Sequence, residues 1–139
     1  EKEEKILHEI GDWMQVNQAG IFDTRPWIIY GEGPSTVEKR PLNAAGFNED
    51  KENAYTAEDI RFVQKGDAIY AHILAWPNDG KISIKSFGKK NTTAPLVSVK
   101  TVSLLGYKKK LEFNQNEEAL SVTLPSEKPN QISLVLKIN

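Results

Sequence analysis

Cysteine is absent from these 139 residues, which excludes disulfides, thiolate nucleophiles and cysteine-ligated zinc. Histidine occurs only twice. His8 sits among charged helix residues and His72 in an alternating run. Neither has a second His or a carboxylate at ligand spacing, so no metal or other cofactor is expected, and a solvated or hydrogen-bonded imidazole is the simpler reading. An excess of one charge is also missing. Lys and Arg total 18 against 19 Asp and Glu, a net charge of -1, which argues against a nucleic-acid partner or a polybasic membrane surface. No apolar run approaches the roughly 20 residues of a membrane span. The opening Glu1-Lys2-Glu3-Glu4-Lys5 carries no secretory pattern and begins inside a charged helical stretch, as expected if a larger protein continues upstream. The length suits one well-buried domain rather than two.

What is present divides into three parts. Ile6, Ile10 and Trp13, joined by Leu7 and Met14, recur at three- and four-residue spacing and predict an amphipathic helix over residues 1–23. Gly11 weakens it by about 1 kcal/mol relative to Ala, so the helix needs packing to persist. Asn17 and Gly20 end it. Residues 24–56 read as a long linker. Arg25 to Tyr30 could extend briefly, but Pro34, Pro41, Gly46 and the polar run Asn48 to Asn53 oppose regular structure.

From Ala57 to Asn139 the apolar period becomes two. Ile60 and Phe62 alternate, as do Ile69, Ala71 and Ile73, then Ile82 and Ile84. Val97 and Val99 lead with a slip into Val102 and Leu104, followed by Leu111 and Phe113, then Leu120, Val122 and Leu124. Ile132 to Ile138 alternates to the end. Gly66 and Gly80 supply turn chemistry, read as hairpins. Roughly seven short strands without intervening helices predict a mainly β chain, an antiparallel β-sandwich preceded by the helix and linker.

No catalytic constellation emerges. Glu49, Asp50 and Glu52 read as solvated charge, while Glu58 and Asp59 with Thr56 read as a turn or capping box. Glu32, between two glycines, is the one acid considered for a pocket, although such glycines mostly make turns. Gly31-Glu32-Gly33 lacks the third glycine and following helix of a dinucleotide loop. Lys108-Lys109-Lys110 reads as a charged edge rather than a nucleic-acid patch. Asn91-Thr92-Thr93 is a glycosylation sequon that matters only in a glycosylating host. Trp27, Tyr30 and Trp76 could stack on a sugar or line a rim, but cores and interfaces use such rings more often.

Three ordered segments resemble the α-L-fucosidases of glycoside hydrolase family 29. They are Glu9-Ile-Gly-Asp-Trp-Met-Gln-Val-Asn-Gln-Ala-Gly-Ile-Phe-Asp-Thr-Arg-Pro-Trp27, Tyr30-Gly-Glu-Gly-Pro34, and Tyr55-Thr-Ala-Glu-Asp-Ile-Arg-Phe-Val63 followed by Lys65-Gly66 and Ala75-Trp76-Pro77. Asn17-Gln18-Ala19-Gly20-Ile21-Phe22 departs from that family, whose turn usually carries an acid. The resemblance implies a parent with a catalytic barrel and a C-terminal β-sandwich, hydrolysing terminal α-L-fucosyl linkages with retention. It also implies a periplasmic, lysosomal or extracellular setting and a fucosylated glycan as the parent's substrate. No catalytic residue carries over to this chain. The expected role is non-catalytic support, with Ile6, Leu7, Ile10, Trp13 and Met14 facing the barrel. A carbohydrate-binding module or an oligomerisation domain is the alternative.

Overall fold

The computed structural model describes residues 1–36 and 55–139. The solvated acids Glu49, Asp50 and Glu52 lie outside those residues, as do Pro41 and Gly46. Helix α1 spans Lys2–Asn17 and closes through a 3-10 turn at Gln18–Gly20. Glu3 and Glu4 in its first turn suit the positive end of the helix dipole. At the other end the Asn17 side chain, fully buried, donates Nδ2 to the Trp13 carbonyl at 3.1 Å.

Eight strands follow among the described residues: β1 Arg25–Glu32, β2 Ile60–Lys65, β3 Ala68–Ile73, β4 Lys81–Ile84, β5 Val102–Leu104, β6 Glu112–Gln115, β7 Leu120–Thr123 and β8 Leu134–Ile138. They form a five-stranded sheet in the order β1-β2-β3-β8-β5 and a three-stranded sheet in the order β4-β7-β6. Every pairing is antiparallel. Strand β8 lies inside the larger sheet, between β3 and β5. One core fills the space between the sheets. Ile60, Ile73, Leu136 and Val102 from the larger sheet meet Ile84, Leu120 and Val122 from the smaller. Each such side chain, fully buried, contributes about 1.5–3 kcal/mol. The β-sandwich expected from period two is therefore the fold.

Three local readings are corrected. The linker begins later than expected, because Arg25–Glu32 is an edge strand hydrogen-bonded to β2. Its pattern was hidden by a bulge: Pro26 pairs with Val63 and Gly31 with Arg61, and the register slips between them. Gly31 and Gly33 let the chain run against its neighbour. A Cβ on Gly33, at φ +109°, would sit 2.2 Å from the Glu58 carbonyl oxygen. Second, Val97 and Val99 are not in a strand; the Val99 N–H is taken by Gln115 Oε1 at 3.0 Å. Third, Gly80 at φ +69° is no hairpin glycine, since β3 and β4 lie in different sheets and the turn crosses between them. Gly66 does close the β2–β3 hairpin, at φ +58°.

The outer face of the five-stranded sheet is also covered. Ala68 and Tyr70 of β3 and Val135 of β8 are buried there beneath Trp13 and Ala19. Trp13 Nε1 donates to Ser133 Oγ at 3.0 Å. Gly20 passes so close that a Cβ would meet Val135 Cγ1 at 2.9 Å. Only the end of α1 is engaged in this way, and residues 1–12 are exposed.

Candidate functional site

The acids singled out in the sequence serve the fold. Glu32, at the end of β1, accepts from the backbone N–H of Lys85 at 2.9 Å (Oε2) and of Ser86 at 2.9 Å (Oε1). Its carboxylate thereby caps the 3-10 turn after β4 and ties one sheet to the other, which removes it as a pocket acid. Asp59 is buried and accepts from the N–H groups of Ser35 at 2.8 Å and Thr56 at 2.9 Å. The turn expected around Thr56 is closed by this carboxylate. Burial by itself raises the Asp59 pKa, but the hydrogen bonds from Ser35 and Thr56 outweigh it and hold the group below its ordinary 3.8.

The aromatic candidates separate. Trp27 is in the core, stacked on Phe87 at 5.1 Å between centroids and edge-on to Phe62 at 5.2 Å. Trp27 is buried there, so it offers no sugar-stacking surface. Tyr30 points outward, 60% exposed, with the Arg61 guanidinium 5.5 Å from its ring centre. Trp76 is half-buried. Lys128 Nζ lies 5.4 Å from its ring centre, and its indole N–H is buried with no partner among the described residues.

Trp76 also lines an open cleft of about 1080 Å³. The walls are the Tyr55–Glu58 segment and the Ala75–Asp79 turn, and the floor is the outer face of β4 and β7. Antiparallel register sets Lys81 beside Thr123 and Ser83 beside Ser121 on that floor. Tyr55, 59% exposed, stands at the edge. Tyr55, Ser83, Ser121 and Thr123 were not singled out in the sequence. Nothing in a local window signals them, because strand pairing alone brings residue 83 to residue 121.

His8 is exposed on α1. His72 lies on the covered outer face, where its Nε2–H donates to the Gly20 carbonyl at 2.8 Å. Burial lowers its pKa below 6.5, opposed in part by that hydrogen bond. Among the described residues no group of three or more His, Asp or Glu is placed to hold a metal ion. No helix there is long and apolar enough to cross a membrane.

The helix residues expected to face a barrel also divide. Trp13 is packed on the sheet and Met14 is half-buried, whereas Ile6, Leu7 and Ile10 are 55%, 67% and 51% exposed. Trp13 therefore has its partner within this chain. Ile21, Phe22 and Ile28 are exposed as well, at 41%, 55% and 67%.

The family model of the α-L-fucosidase C-terminal domain matches residues 52–139. Tissue α-L-fucosidase of Rattus norvegicus is 25% identical over 128 residues, covering 91% of this chain and 21% of the relative. The α-L-fucosidase of Branchiostoma floridae is 25% identical over 130 residues, covering 93% and 22%. The chain thus spans about a fifth of the length of these relatives. Among solved structures, Thermotoga maritima α-fucosidase in complex with fucose superposes with a TM-score of 0.61 at 21% identity, over 93% of this chain and 24% of that one. Isoenzyme 1 from Paenibacillus thiaminolyticus gives 0.55 at 20% identity, over 97% and 26%. At such identity these likenesses speak for the fold alone. With the family match covering most of the sandwich, the chain belongs to the α-L-fucosidase C-terminal domain family.

Proposed function

We propose that this chain is the non-catalytic C-terminal region of a retaining α-L-fucosidase and supports the catalytic barrel of its parent. Residues 1–23 finish the barrel side of the junction. Residues 57–139, with β1 recruited to their sheet, form the support. The observation that carries this reading is that Ile6, Leu7 and Ile10 are exposed on a helix already anchored at Trp13, with Ile21 and Phe22 exposed in the turn beyond it. Ile6, Leu7 and Ile10 are neighbours at helical spacing, and an exposed apolar cluster of this kind marks an interface. The acids give further support. Asp59 and Glu32 are committed to backbone N–H groups, and Glu58 and Asp79 are exposed at the cleft, Asp79 accepting from the Lys81 N–H at 3.1 Å. The parent's retaining chemistry needs two carboxyl groups about 5–5.5 Å apart, one attacking the anomeric carbon and one protonating the leaving oxygen, on the terminal fucosyl unit of a glycan. That pair is assigned to the barrel.

The test compares this chain, the parent enzyme and the parent carrying Leu7→Asp and Ile10→Asp, using an aryl α-L-fucoside. The chain alone is expected to be inert. The double variant is expected to lower the parent's thermal midpoint while leaving that of the isolated chain unchanged, because both positions are exposed there. Robust turnover by the isolated chain would overturn the proposal. Sedimentation showing that the cluster pairs two copies of the parent would instead assign it to oligomerisation.

A further inference from the structure

The cleft beside Trp76 is not used by the barrel-support reading, which rests on the helix, and its chemistry is selective. Its floor carries three hydroxyls beside Lys81, Ile82 and Val122. Ser83, Ser121 and Thr123 are exposed on neighbouring strands, and their side chains make no hydrogen bond among the described residues. Its walls bring two aromatic rings, Tyr55 and Trp76. The Trp76 N–H finds no partner among the described residues, so this ring is not held there by a hydrogen bond. Lys128 does not line the cleft, so its ammonium group covers the ring from elsewhere.

Ligand classes can be weighed against these groups. A phosphate or sulfate ester needs converging cations, but the lining offers Lys81 against Glu58 and Asp79. An apolar helix or lipid tail would bury the Ser and Thr hydroxyls unpaired. A sugar fits both surfaces. Its C–H face is apolar and stacks on an aromatic ring, while its hydroxyls donate and accept in turn, as Ser, Thr and Asn side chains do. A cleft of about 1080 Å³ also exceeds what one monosaccharide fills.

We propose that this cleft binds a neutral oligosaccharide, with Tyr55 and Trp76 as stacking walls and Ser83, Ser121 and Thr123 as its hydroxyl-reading floor. This inference does not rest on the barrel-support reading, since it uses only the groups that line the cleft.

Amide chemical-shift titration of the 139-residue chain tests this with 2′-fucosyllactose and, separately, lactose. Saturable shifts are expected at Tyr55, Ser83, Ser121 and Thr123, with half-saturation near about 1 mM for at least one of the two sugars. Tyr55→Ala should weaken binding about tenfold, the equivalent of roughly 1.4 kcal/mol. Ser121→Lys, which fills the floor, should abolish it. Both substitutions are at exposed positions, and unchanged spectra elsewhere would confirm that the fold persists. Absence of shifts with both sugars at about 10 mM, or shifts that survive both substitutions, would overturn the proposal. A parent fucosidase with a silent cleft would sink this inference alone. A sugar-binding chain whose parent is no fucosidase would sink only the reading above.

Discussion

The two sheets share one core but differ in what covers their other faces. In the five-stranded sheet, β3 buries Ala68, Ile69, Tyr70 and Ala71 in succession, and β8 buries Leu134, Val135 and Leu136. A continuous apolar run means a strand covered on both sides. Here the second cover is Trp13 and the turn after α1. In the three-stranded sheet, β4 and β7 alternate strictly between buried and exposed residues, so one face is left to solvent. The covered face spends its chemistry on anchoring a helix. The open one keeps its hydroxyls for the cleft.

Alanine substitutions on opposite faces should break this contrast most visibly. Leu136→Ala, on the inner face, should cost about 2–5 kcal/mol in urea denaturation, and Val135→Ala, on the outer face, about 2 kcal/mol. In the smaller sheet Val122→Ala should also cost about 2 kcal/mol, but its neighbour Ser121→Ala should stay within about 0.5 kcal/mol. Equal losses at Ser121 and Val135 would erase the distinction between the sheets.

Trp13→Ala separates the helix from the sandwich. It removes the bond to Ser133 and the cover over Tyr70 and Val135, with an expected loss of about 2 kcal/mol for a half-buried ring. Hydrogen exchange should then show residues 2–17 unprotected while β3 and β8 amides remain protected. If the sheet amides lose protection in parallel, α1 is part of the cooperative core and not an applied cover.

Much of this arrangement was legible in the chain. Strands β2 to β8 announce themselves through period two, and Gly66 marks its hairpin. The cover over β3 was not read, because Ile69, Ala71 and Ile73 also fit simple alternation, although all four residues from Ala68 to Ala71 are buried. The apolar stripe of α1 suggested a missing neighbour for Trp13, because an amphipathic pattern specifies that a face is buried without naming what buries it. β1 was read as linker because its bulge, Pro26, Gly31 and Gly33 mimic loop chemistry. Of the site, Trp76 was legible as an aromatic at a strand end. The hydroxyl floor was not, since Ser83, Ser121 and Thr123 are unremarkable residues until strand pairing sets them side by side.

The response to acid sharpens the comparison by face. His72, beneath the helix turn, holds its pKa below the ordinary 6.5, so the unfolded chain takes up that proton first. Stability from this group is therefore fully present above pH 6.5 and lost as the pH falls toward the folded value. Asp59 is likewise depressed and gives its contribution above 3.8, losing it as the pH falls through its folded value. Urea midpoints of His72→Gln should fall less than wild type on going from pH 7 toward 5, and Asp59→Asn should flatten only the more acid part. A wild-type midpoint that rises on acidification between 7 and 5 would contradict the buried, neutral imidazole.

The smallest effects are expected from two carboxylates that link similar elements by different means. Glu32 accepts two backbone N–H bonds at 2.9 Å across the sheets, and the amide of Glu32→Gln can replace only part of that. The loss should be about 1 kcal/mol in urea denaturation. Glu118 meets Lys90 at 3.4 Å, but both side chains are largely in water, 80% and 68% exposed. The attraction is screened there, and ordering two long side chains opposes it, so Glu118→Gln should change stability by less than about 0.5 kcal/mol. The discriminating condition is salt. Raising ionic strength to about 1 M shortens the screening length to roughly 3 Å and should abolish any Glu118 effect, whereas the loss at Glu32, which rests on oriented N–H donors, should persist. If the Glu32 effect vanishes in salt as well, its carboxylate acts as a surface charge and does not join the two sheets.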